Sequence, residues 1–346
     1  MHLIKALSSY TRRQFRDTKW RAVILLYHRV TELSTDPQLL SVTRDNFARH
    51  LQVMKKHGKV VSLRRIADAI PSCSLPARSI AITFDDGYSD NLHNALPLLE
   101  QSHCPATFFI STGYVDRGRE FWWDELDRVL LQPGLLPRTL DLKIDGSSYS
   151  WTLNDATYYN ESDYQQNRLW NVLESDAPTS RQHIYRSICQ LIQPLGDAER
   201  QGIINEFLKW AGAEPICRPT HGILSEKEIK RLSESRLAEI GSHTMSHPVL
   251  SKLNLDMQRV DIGENKAQLE KIIGRPVNSF SYPFGTETDY TDDTVSLVRQ
   301  AGFQCACSNF PGVVSRDSDS FQLPRCLIRN WSDEEFEHRL EEFFNG

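Results

Sequence analysis

The sequence lacks paired cysteines and has no excess of positive charge. Its seven cysteines are scattered without a Cys-x-x-Cys pair, so neither a disulfide framework nor a structural zinc ribbon is expected. Acidic residues outnumber basic ones, which gives a formal net charge of -5. Such a chain has no general attraction to nucleic acid or to anionic membranes, and we expect neither as a partner.

Long apolar runs are also missing. No stretch approaches the roughly 20 apolar residues that cross a bilayer. Residues 1–21 include several basic side chains but contain no apolar segment of the kind found in secretory signals. These features predict a cytoplasmic protein without a transmembrane segment, and they leave its oligomeric state open. Leu3, Leu7 and Tyr10 suggest a helix within residues 1–19 that packs on the outside of the fold.

Two adjacent carboxylates follow the most distinctive apolar stretch. Residues 80–84 are β-branched and aromatic, typical of a buried strand, and they end at Asp85 and Asp86. Adjacent side chains of a strand face opposite ways, so both acids can share one pocket only if the backbone breaks, which Gly87 permits. An Asp-Gly hairpin turn is the alternative. Apolar residues at helical spacing in 92–99 instead favour a strand, an acidic turn and a helix.

Apolar strands alternate with helical patterns along much of the chain. Strands are predicted at residues 22–27, 59–61, 80–84, 106–110, 237–240, 277–282 and 303–307. This alternation predicts an α/β fold of parallel β-α-β units with right-handed crossovers. We expect residues 1–346 to form a single domain, with residues 115–219 as a mixed α/β insertion that contains an edge hairpin around Asp145 and Gly146. The insertion would cover the site, bind substrate or simply pack on the fold.

A pair of histidines follows another predicted strand. His243 and His247 are separated by three residues, and Pro248 disfavours helical geometry at His247, so a tight loop is expected. Alone, this spacing can arise by chance or on a surface. Parallel strands, however, place their C-terminal ends at one rim, where the two histidines would meet the acidic pair. Two imidazoles and one carboxylate predict a catalytic site for zinc or a similar divalent metal ion.

Three motifs, in their order along the chain, resemble the polysaccharide deacetylases, the metal-dependent NodB-type carbohydrate esterases of family 4. They are Thr83-Phe-Asp-Asp-Gly87, His243-Thr-Met-Ser-His247 and Tyr282-Pro-Phe-Gly285. Further similarity lies in Leu26-Tyr-His-Arg-Val30 and Pro105-Ala-Thr-Phe-Phe109. The resemblance spans about residues 23–331. It implies a distorted (β/α)7 barrel, here with the large insertion, and a hydrolase that acts on the C–N bonds of linear amides.

The resemblance also implies roles for individual residues. By position, the ligands of a divalent metal ion would be Asp86, His243 and His247. Zinc is the first choice for this ion, with cobalt, nickel or manganese as alternatives. Asp85 would be the general base, and the backbone N–H of Tyr282 would donate to the oxyanion. Trp122, Trp123 and Phe284 are candidates for stacking on sugar faces, with core packing as the alternative.

Two positions depart from the family pattern. Ser281 stands where many members have an arginine that orients the base carboxylate, so another group must do so here. The late Leu-x-His motif, which supplies the acid for the leaving amine, is replaced by Leu323-Pro-Arg325. We propose His28 as the substitute acid, because it too follows a predicted strand and would lie at the same rim.

The expected function is the metal-dependent removal of N-acetyl or O-acetyl groups from a carbohydrate. Without an apparent export signal, an intermediate of surface polysaccharide or lipopolysaccharide assembly is favoured over finished polymer. Two alternatives stay open. One is a catalytically weakened glycan-binding protein on the same barrel, which the two departures favour. The other is a related hydrolase of non-sugar C–N bonds.

Overall fold

The computed structural model describes residues 21–72 and 74–345. The helix expected within residues 1–19 lies outside them. In the described part of the chain, α-helices span Arg44–His57, Leu63–Ala69, Leu96–Ser102, Trp122–Leu130, Glu161–Asn167, Ser180–Ile192, Asp197–Ala211, Glu226–Glu234, Leu255–Ile273, Asp292–Gln300 and Asp333–Asn345. None of the helices in this part combines the length and the apolar character needed to cross a membrane.

The centre of the fold is a curved parallel sheet. Among the described residues the main strands of this sheet, numbered along the chain, are β1 (Ala22–Tyr27), β2 (Ser79–Phe84), β3 (Ala106–Ile110), β4 (Ala238–Ser242), β5 (Ser279–Ser281), β6 (Cys305–Cys307) and β7 (Cys326–Leu327). Their spatial order is β6-β5-β4-β3-β2-β1-β7, so strands β1 to β6 each lie beside their neighbours in sequence. The pairings are parallel, as repeated β-α-β units require.

The segment that leads into β7 joins the two ends of this sheet. Leu323 forms a parallel bridge with Cys307 of β6, and the N–H of Ser308 donates to the carbonyl of Leu323 at 2.9 Å. A few residues later, β7 pairs with β1 through Leu327 and Leu26. The sheet therefore curls into a distorted barrel, and the predicted fold class is confirmed.

Both faces of the central strands are buried, as their continuous apolar sequences predict. Val23 and Leu25 of β1 pack in the large cluster beneath the outer helices. Ala22 and Ile24, which alternate with them, pack in a separate cluster with Phe109. This alternation gives each strand an outer and an inner set of side chains. The inner set fills the barrel below the C-terminal rim, where the site lies.

Lys59–Val60 is a further short strand of the central sheet and pairs in parallel with β2. Short strands outside this sheet are Arg29–Val30, Ser41–Val42, Gly134–Leu135, Thr139–Ile144, Ser147–Thr152 and Tyr158–Tyr159. Thr139–Ile144 and Ser147–Thr152 pair antiparallel. Asp145 and Gly146 both have positive φ between them, as the mirror-image turns of two-residue hairpins require. The predicted hairpin is confirmed.

The segment between β3 and β4 has a hydrophobic cluster of its own. Its helix Trp122–Leu130 packs against helices Ser180–Ile192 and Asp197–Ala211. Apolar side chains of these helices and of the hairpin form the cluster, together with Tyr88 and Tyr114 from the barrel loops. These two tyrosines connect residues 115–219, which we continue to call the insertion as predicted above, to the rim of the barrel.

Candidate active site

The acidic turn begins where β2 ends. The N–H of Asp85 still donates to the carbonyl of Tyr27 at 3.0 Å, which extends the strand pairing by one residue. Asp86 then adopts a φ of 76° and Gly87 one of 84°, and the N–H of Gly87 donates to the carbonyl of Asp85 at 3.0 Å. This γ-turn around Asp86 is the backbone break that the sequence predicts. It allows two consecutive carboxylates to face the same cavity.

The two histidines lie on a tight loop that follows β4. Thr244 and His247 have φ values of 63° and 50°, in the left-handed region that residues other than glycine seldom adopt. The carboxylate of Asp261 accepts from the N–H groups of Met245 at 2.7 Å and Ser246 at 3.2 Å. The prediction of a loop in place of a helical turn is confirmed.

The loop and the turn bring three potential ligands together. Oδ1 of Asp86 lies 3.6 Å from Nε2 of His243 and 3.3 Å from Nε2 of His247. One ligand atom from each of the three buried residues lies within 4.8 Å of the others. Asp86 Oδ1 and His247 Nδ1 are buried without a hydrogen-bond partner among the described residues. A divalent ion would satisfy this carboxylate oxygen, so the three residues fit a metal site.

Hydrogen bonding and charge further define these ligands. Nδ1 of His243 lies 2.8 Å from the carbonyl of Ser281; donation to this carbonyl leaves Nε2 free as a ligand. Burial favours a raised pKa for Asp86, but the imidazoles of His243 and His247 outweigh it and the pKa is lowered. Burial alone would lower the pKa of His243, yet Asp85 and Asp86 raise it. The two carboxylates thus favour positive charge at this position.

Asp85 is held by an arginine that sequence reasoning did not select. Nη1 of Arg325 donates to Oδ1 at 2.8 Å and Nη2 donates to Oδ2 at 2.7 Å, and the hydroxyl of Ser281 donates to Oδ2 at 3.0 Å. Burial acts to raise the pKa of Asp85, but the Arg325 guanidinium outweighs it and holds the pKa below its ordinary value. Arg325 thus orients the carboxylate from β7's side of the barrel, although position 281 is a serine.

One sequence signal could have identified Arg325. It lies between Leu323 and Cys326, in an apolar stretch where an arginine is unexpected unless it is paired. The alternation of a strand also places Arg325 on the same side as Leu323, which packs inside the barrel. The position of the partner strand, however, is a property of the closed sheet.

The acids and histidines line a cavity of about 400 Å³. Its wall contains His28, Gln38, Leu40, Asp85, Asp86, Trp122, Trp123, Cys189, Gln193, His243, His247, Phe284, Thr286, Asp289, Asn309, Leu327 and Arg329. His28 is partly exposed. Its pKa is lowered, because burial outweighs the opposing effect of Asp86 and Asp85. The structure therefore brings His28 to the same cavity as the acidic pair, and its role as an acid stays a prediction.

The aromatic candidates differ in how much of each ring is free. Trp123 stacks on Phe121 with ring centroids 4.4 Å apart, presents an edge contact to His247 at 5.4 Å, and donates from Nε1 to the Tyr88 hydroxyl at 2.9 Å. Trp123 is 5% exposed and Trp122 3%. Both rings are therefore largely packed within the protein, although both also line the cavity, and their stacking on a sugar stays a prediction. Phe284 is partly exposed at the cavity and keeps its candidate role.

The backbone N–H of Tyr282, the predicted oxyanion donor, already has a partner in this structure. It donates to the carbonyl of Cys307 at 3.1 Å, as part of the pairing between the extension of β5 and β6. Because this donor is engaged, it is not free to meet an oxyanion in this structure. The side chain is buried and stacks on Tyr290 at 4.0 Å. The motif alone could not reveal this, since the pairing involves a distant strand.

Comparisons with known proteins identify a family and several relatives that resemble this chain. Residues 73–175 and 206–306 match the family described as polysaccharide deacetylase. Poly-beta-1,6-N-acetyl-D-glucosamine N-deacetylase of Staphylococcus aureus is 27% identical over 127 residues, 34% of this chain and 42% of that protein. The Staphylococcus epidermidis protein of the same name is 29% identical over 125 residues, 32% of this chain and 43% of that protein. The chain thus matches less than half the length of these relatives.

Solved structures resemble the fold over most of the chain. The Streptococcus pyogenes deacetylase PplD, in complex with acetate, superimposes with a TM-score of 0.57 at 18% identity, over 92% of this chain and 98% of that one. IcaB from Ammonifex degensii gives a TM-score of 0.57 at 17% identity, over 94% and 97% of the two chains. At such identities the likeness establishes the fold alone.

Proposed function

Because the chain belongs to the polysaccharide deacetylase family, we propose that it is a hydrolase that uses a divalent metal ion to remove N-acetyl groups from a carbohydrate. The observation that supports this most directly is the buried group of Asp86, His243 and His247. It lies beside Asp85 in a cavity of about 400 Å³, which is within the usual size range of small-molecule sites.

Asp86, His243 and His247 would hold the metal ion. Two imidazole nitrogens and one carboxylate oxygen suit zinc, and cobalt, nickel and manganese are the alternatives. An ion bound there would polarise the acetyl carbonyl and lower the pKa of a water molecule.

Asp85 is placed to take a proton from the attacking water. Its lowered pKa keeps it ionised at neutral pH, and the two-pronged contact with Arg325 fixes the plane of the carboxylate. Each carboxylate oxygen has more than one acceptor site, so Asp85 can accept a proton while Arg325 holds it. Such general-base assistance typically contributes about 10²–10⁴-fold to the rate.

His28 would protonate the leaving amine. We expect His28→Gln and His28→Ala to lower turnover of an N-acetyl sugar by about 100-fold or more while metal affinity is kept. Steady-state kinetics and metal titration check this. An activated aryl acetate, whose leaving group needs no proton, should lose much less rate in the same variants.

A surface histidine provides the control for His28. His93 pairs with Glu228 at 2.7 Å and lies outside the cavity wall, so His93→Gln should be fully active. A fully active His28→Gln enzyme would remove His28 from the mechanism. An equal loss on the amide and on the aryl ester would also contradict the role of an acid for the leaving group.

The substrate we propose is an N-acetylated amino sugar in an intermediate of surface polysaccharide or lipopolysaccharide assembly. Support comes from the family and from the names of the relatives, which act on poly-beta-1,6-N-acetyl-D-glucosamine. An O-acetyl group is the alternative target. The cytoplasmic location stays a prediction, and fractionation of cells that express the protein would check it.

Acetate release tests the proposed activity. N-acetylated sugars and oligomers should be incubated with metal-stripped protein, metal-restored protein and the Asp85→Asn variant. We expect release only after metal is restored, and a rate in Asp85→Asn that is lower by about 10²–10⁴-fold, since the base is lost. Release that is equal with and without metal would contradict metal dependence. Release of an acyl group other than acetate, or from non-sugar amides alone, would contradict the substrate class.

A further inference from the structure

The two histidine ligands are held in different ways. The imidazole of His243 is fixed through Nδ1 by the carbonyl of Ser281. The backbone carbonyl of His243 accepts from the Ser111 hydroxyl at 2.9 Å. Both partners belong to the barrel. Nδ1 of His247, in contrast, is buried without a hydrogen-bond partner among the described residues. The direction of this second imidazole therefore depends on its backbone and on the rings around it.

The backbone of His247 is contacted by an arginine from the insertion. Arg200, on the helix Asp197–Ala211, donates from Nη2 to the carbonyl of Ser246 at 2.8 Å and from Nη1 to the carbonyl of His247 at 3.4 Å. The side chain of Arg200 has no exposed surface. The insertion thus reaches the loop of the metal site through a buried cation.

The rings around His247 also come from the insertion on one side. Phe121 and Trp123 make edge contacts with its imidazole, with centroids at 6.1 and 5.4 Å. Phe284, in the barrel loop that follows β5, makes a further edge contact with the imidazole, with ring centroids 4.8 Å apart. These contacts limit rotation of the ring only as long as the backbone that bears it keeps its conformation.

The surroundings of Arg200 show why its donors matter. A buried guanidinium is costly unless hydrogen bonds compensate the lost hydration, and its nearest carboxylate, Asp197, lies 3.8 Å away. Two of its donors instead serve the loop carbonyls, while Asp261 accepts from the N–H groups on the loop's other side. The left-handed φ of 50° at His247 persists only where the surroundings enforce it. Arg200 and Asp261 provide that enforcement together with the Thr244 hydroxyl, which accepts from the N–H of His247 at 3.1 Å.

We propose that Arg200 is a positioning residue for the metal ligand His247, so that the insertion supports a metal site whose three ligands all belong to the barrel. The proposal rests on the metal site of the proposed function. It predicts that metal affinity depends on one arginine that contacts no ligand side chain by hydrogen bond and is remote from the ligands in sequence.

The experiment compares two buried arginines of the insertion. Arg200→Met keeps a long side chain but removes the donors, and should weaken zinc binding by about 10- to 100-fold, as loss of a group that orients a ligand does. Arg181 has no exposed surface either, yet it donates to carbonyls within the insertion, such as Ala156 and Gly134, both at 2.7 Å. Arg181→Met should therefore keep the affinity of the wild type.

Zinc dissociation constants are measured by competition with a chelator, and the visible spectrum of the cobalt-substituted protein reports the ligand geometry. Thermal unfolding of the metal-free proteins reports their folding. Arg200→Lys, which keeps one donor group and the charge, should recover part of the affinity. If Arg200→Met does not fold, Arg200→Lys takes its place in the comparison with Arg181→Lys, with a smaller expected loss.

Three outcomes would overturn the inference. Zinc affinity and a cobalt spectrum like the wild type's in the Arg200 variants would show that the loop keeps its geometry without the arginine. An equal loss in the Arg181 variants would assign the effect to general damage of the insertion. A wild-type protein that binds no metal would remove the proposed function itself, and the inference with it, so the two failures are distinguishable.

Discussion

Replacing Asp86 by alanine should abolish metal binding and acetate release together. Asp86 supplies the oxygen in a set otherwise made of two imidazoles, and its Oδ1 lies within 3.6 Å of both Nε2 atoms. A metal ion contributes several kcal/mol of transition-state stabilisation, and about 1.4 kcal/mol corresponds to a factor of ten. We therefore expect a loss of activity of about 10³-fold or more.

Metal-induced stabilisation gives a second measurement of the same change. A metal ion that binds only the folded state stabilises a protein by about 4 kcal/mol when the free metal concentration is about 1,000 times the dissociation constant. The midpoint of thermal unfolding should rise when zinc is added to the wild type and should not rise for Asp86→Ala. Because each protein is compared with itself, a change in metal-free stability cancels. An undiminished shift in the variant would place the metal elsewhere.

Replacing Arg325 by methionine should lower both stability and activity. Arg325 and Asp85 are both buried and make two short contacts, and removal of one partner of a buried pair costs about 3–5 kcal/mol because the other charge is left uncompensated. Without its partner Asp85 also loses its orientation, so turnover should fall about as far as in Asp85→Asn. Metal affinity should stay near that of the wild type, since Arg325 makes no hydrogen bond to a ligand. Chemical denaturation, kinetics and zinc titration measure the three effects.

The pH dependence distinguishes loss of the ion pair from loss of packing. The folded-state pKa of Asp85 lies below the ordinary value of 3.8, so the pair contributes its full stability above about pH 4 and loses it as the pH falls through the folded pKa. The deficit of Arg325→Met should therefore be largest near neutral pH and shrink in acid. The double variant Asp85→Asn/Arg325→Met should regain much of the lost stability. A deficit that is independent of pH and equal in the double variant would indicate packing alone.

Arg325 also bears on the alternative of a weakened glycan-binding protein. This hypothesis is based on two departures from the family pattern: the serine at position 281 and the late motif without histidine. The structure shows that Arg325, which occupies the late motif, orients Asp85 while Ser281 adds a further hydrogen bond. One departure thus compensates for the other. The remaining question, the acid, is addressed by the His28 variants.

Much of the fold and part of the site could be predicted from local sequence. The apolar strands, the edge hairpin and the loop geometry before Pro248 follow from side-chain periodicity and from the conformational limits of glycine and proline. The grouping of the acidic turn with the histidine loop follows from the rule that parallel strands end at one rim. The burial of Trp122 and Trp123 could not be predicted in this way, because it depends on how distant helices pack.

The sequence by itself determined which chemistry the rim can perform: two consecutive acids after a strand, a pair of histidines on a loop, and the α/β framework that makes them meet. Tertiary structure alone decided what holds these groups. The partner of Asp85 is Arg325, 240 residues away along the chain. The Tyr282 N–H donates to the carbonyl of Cys307, and Arg200 donates to the carbonyl of Ser246 next to His247. The physical reason is that short local motifs fix the types of ligand residue. Their hydrogen-bond partners depend instead on closure of the sheet and packing of the insertion, which bring together segments that are far apart in sequence.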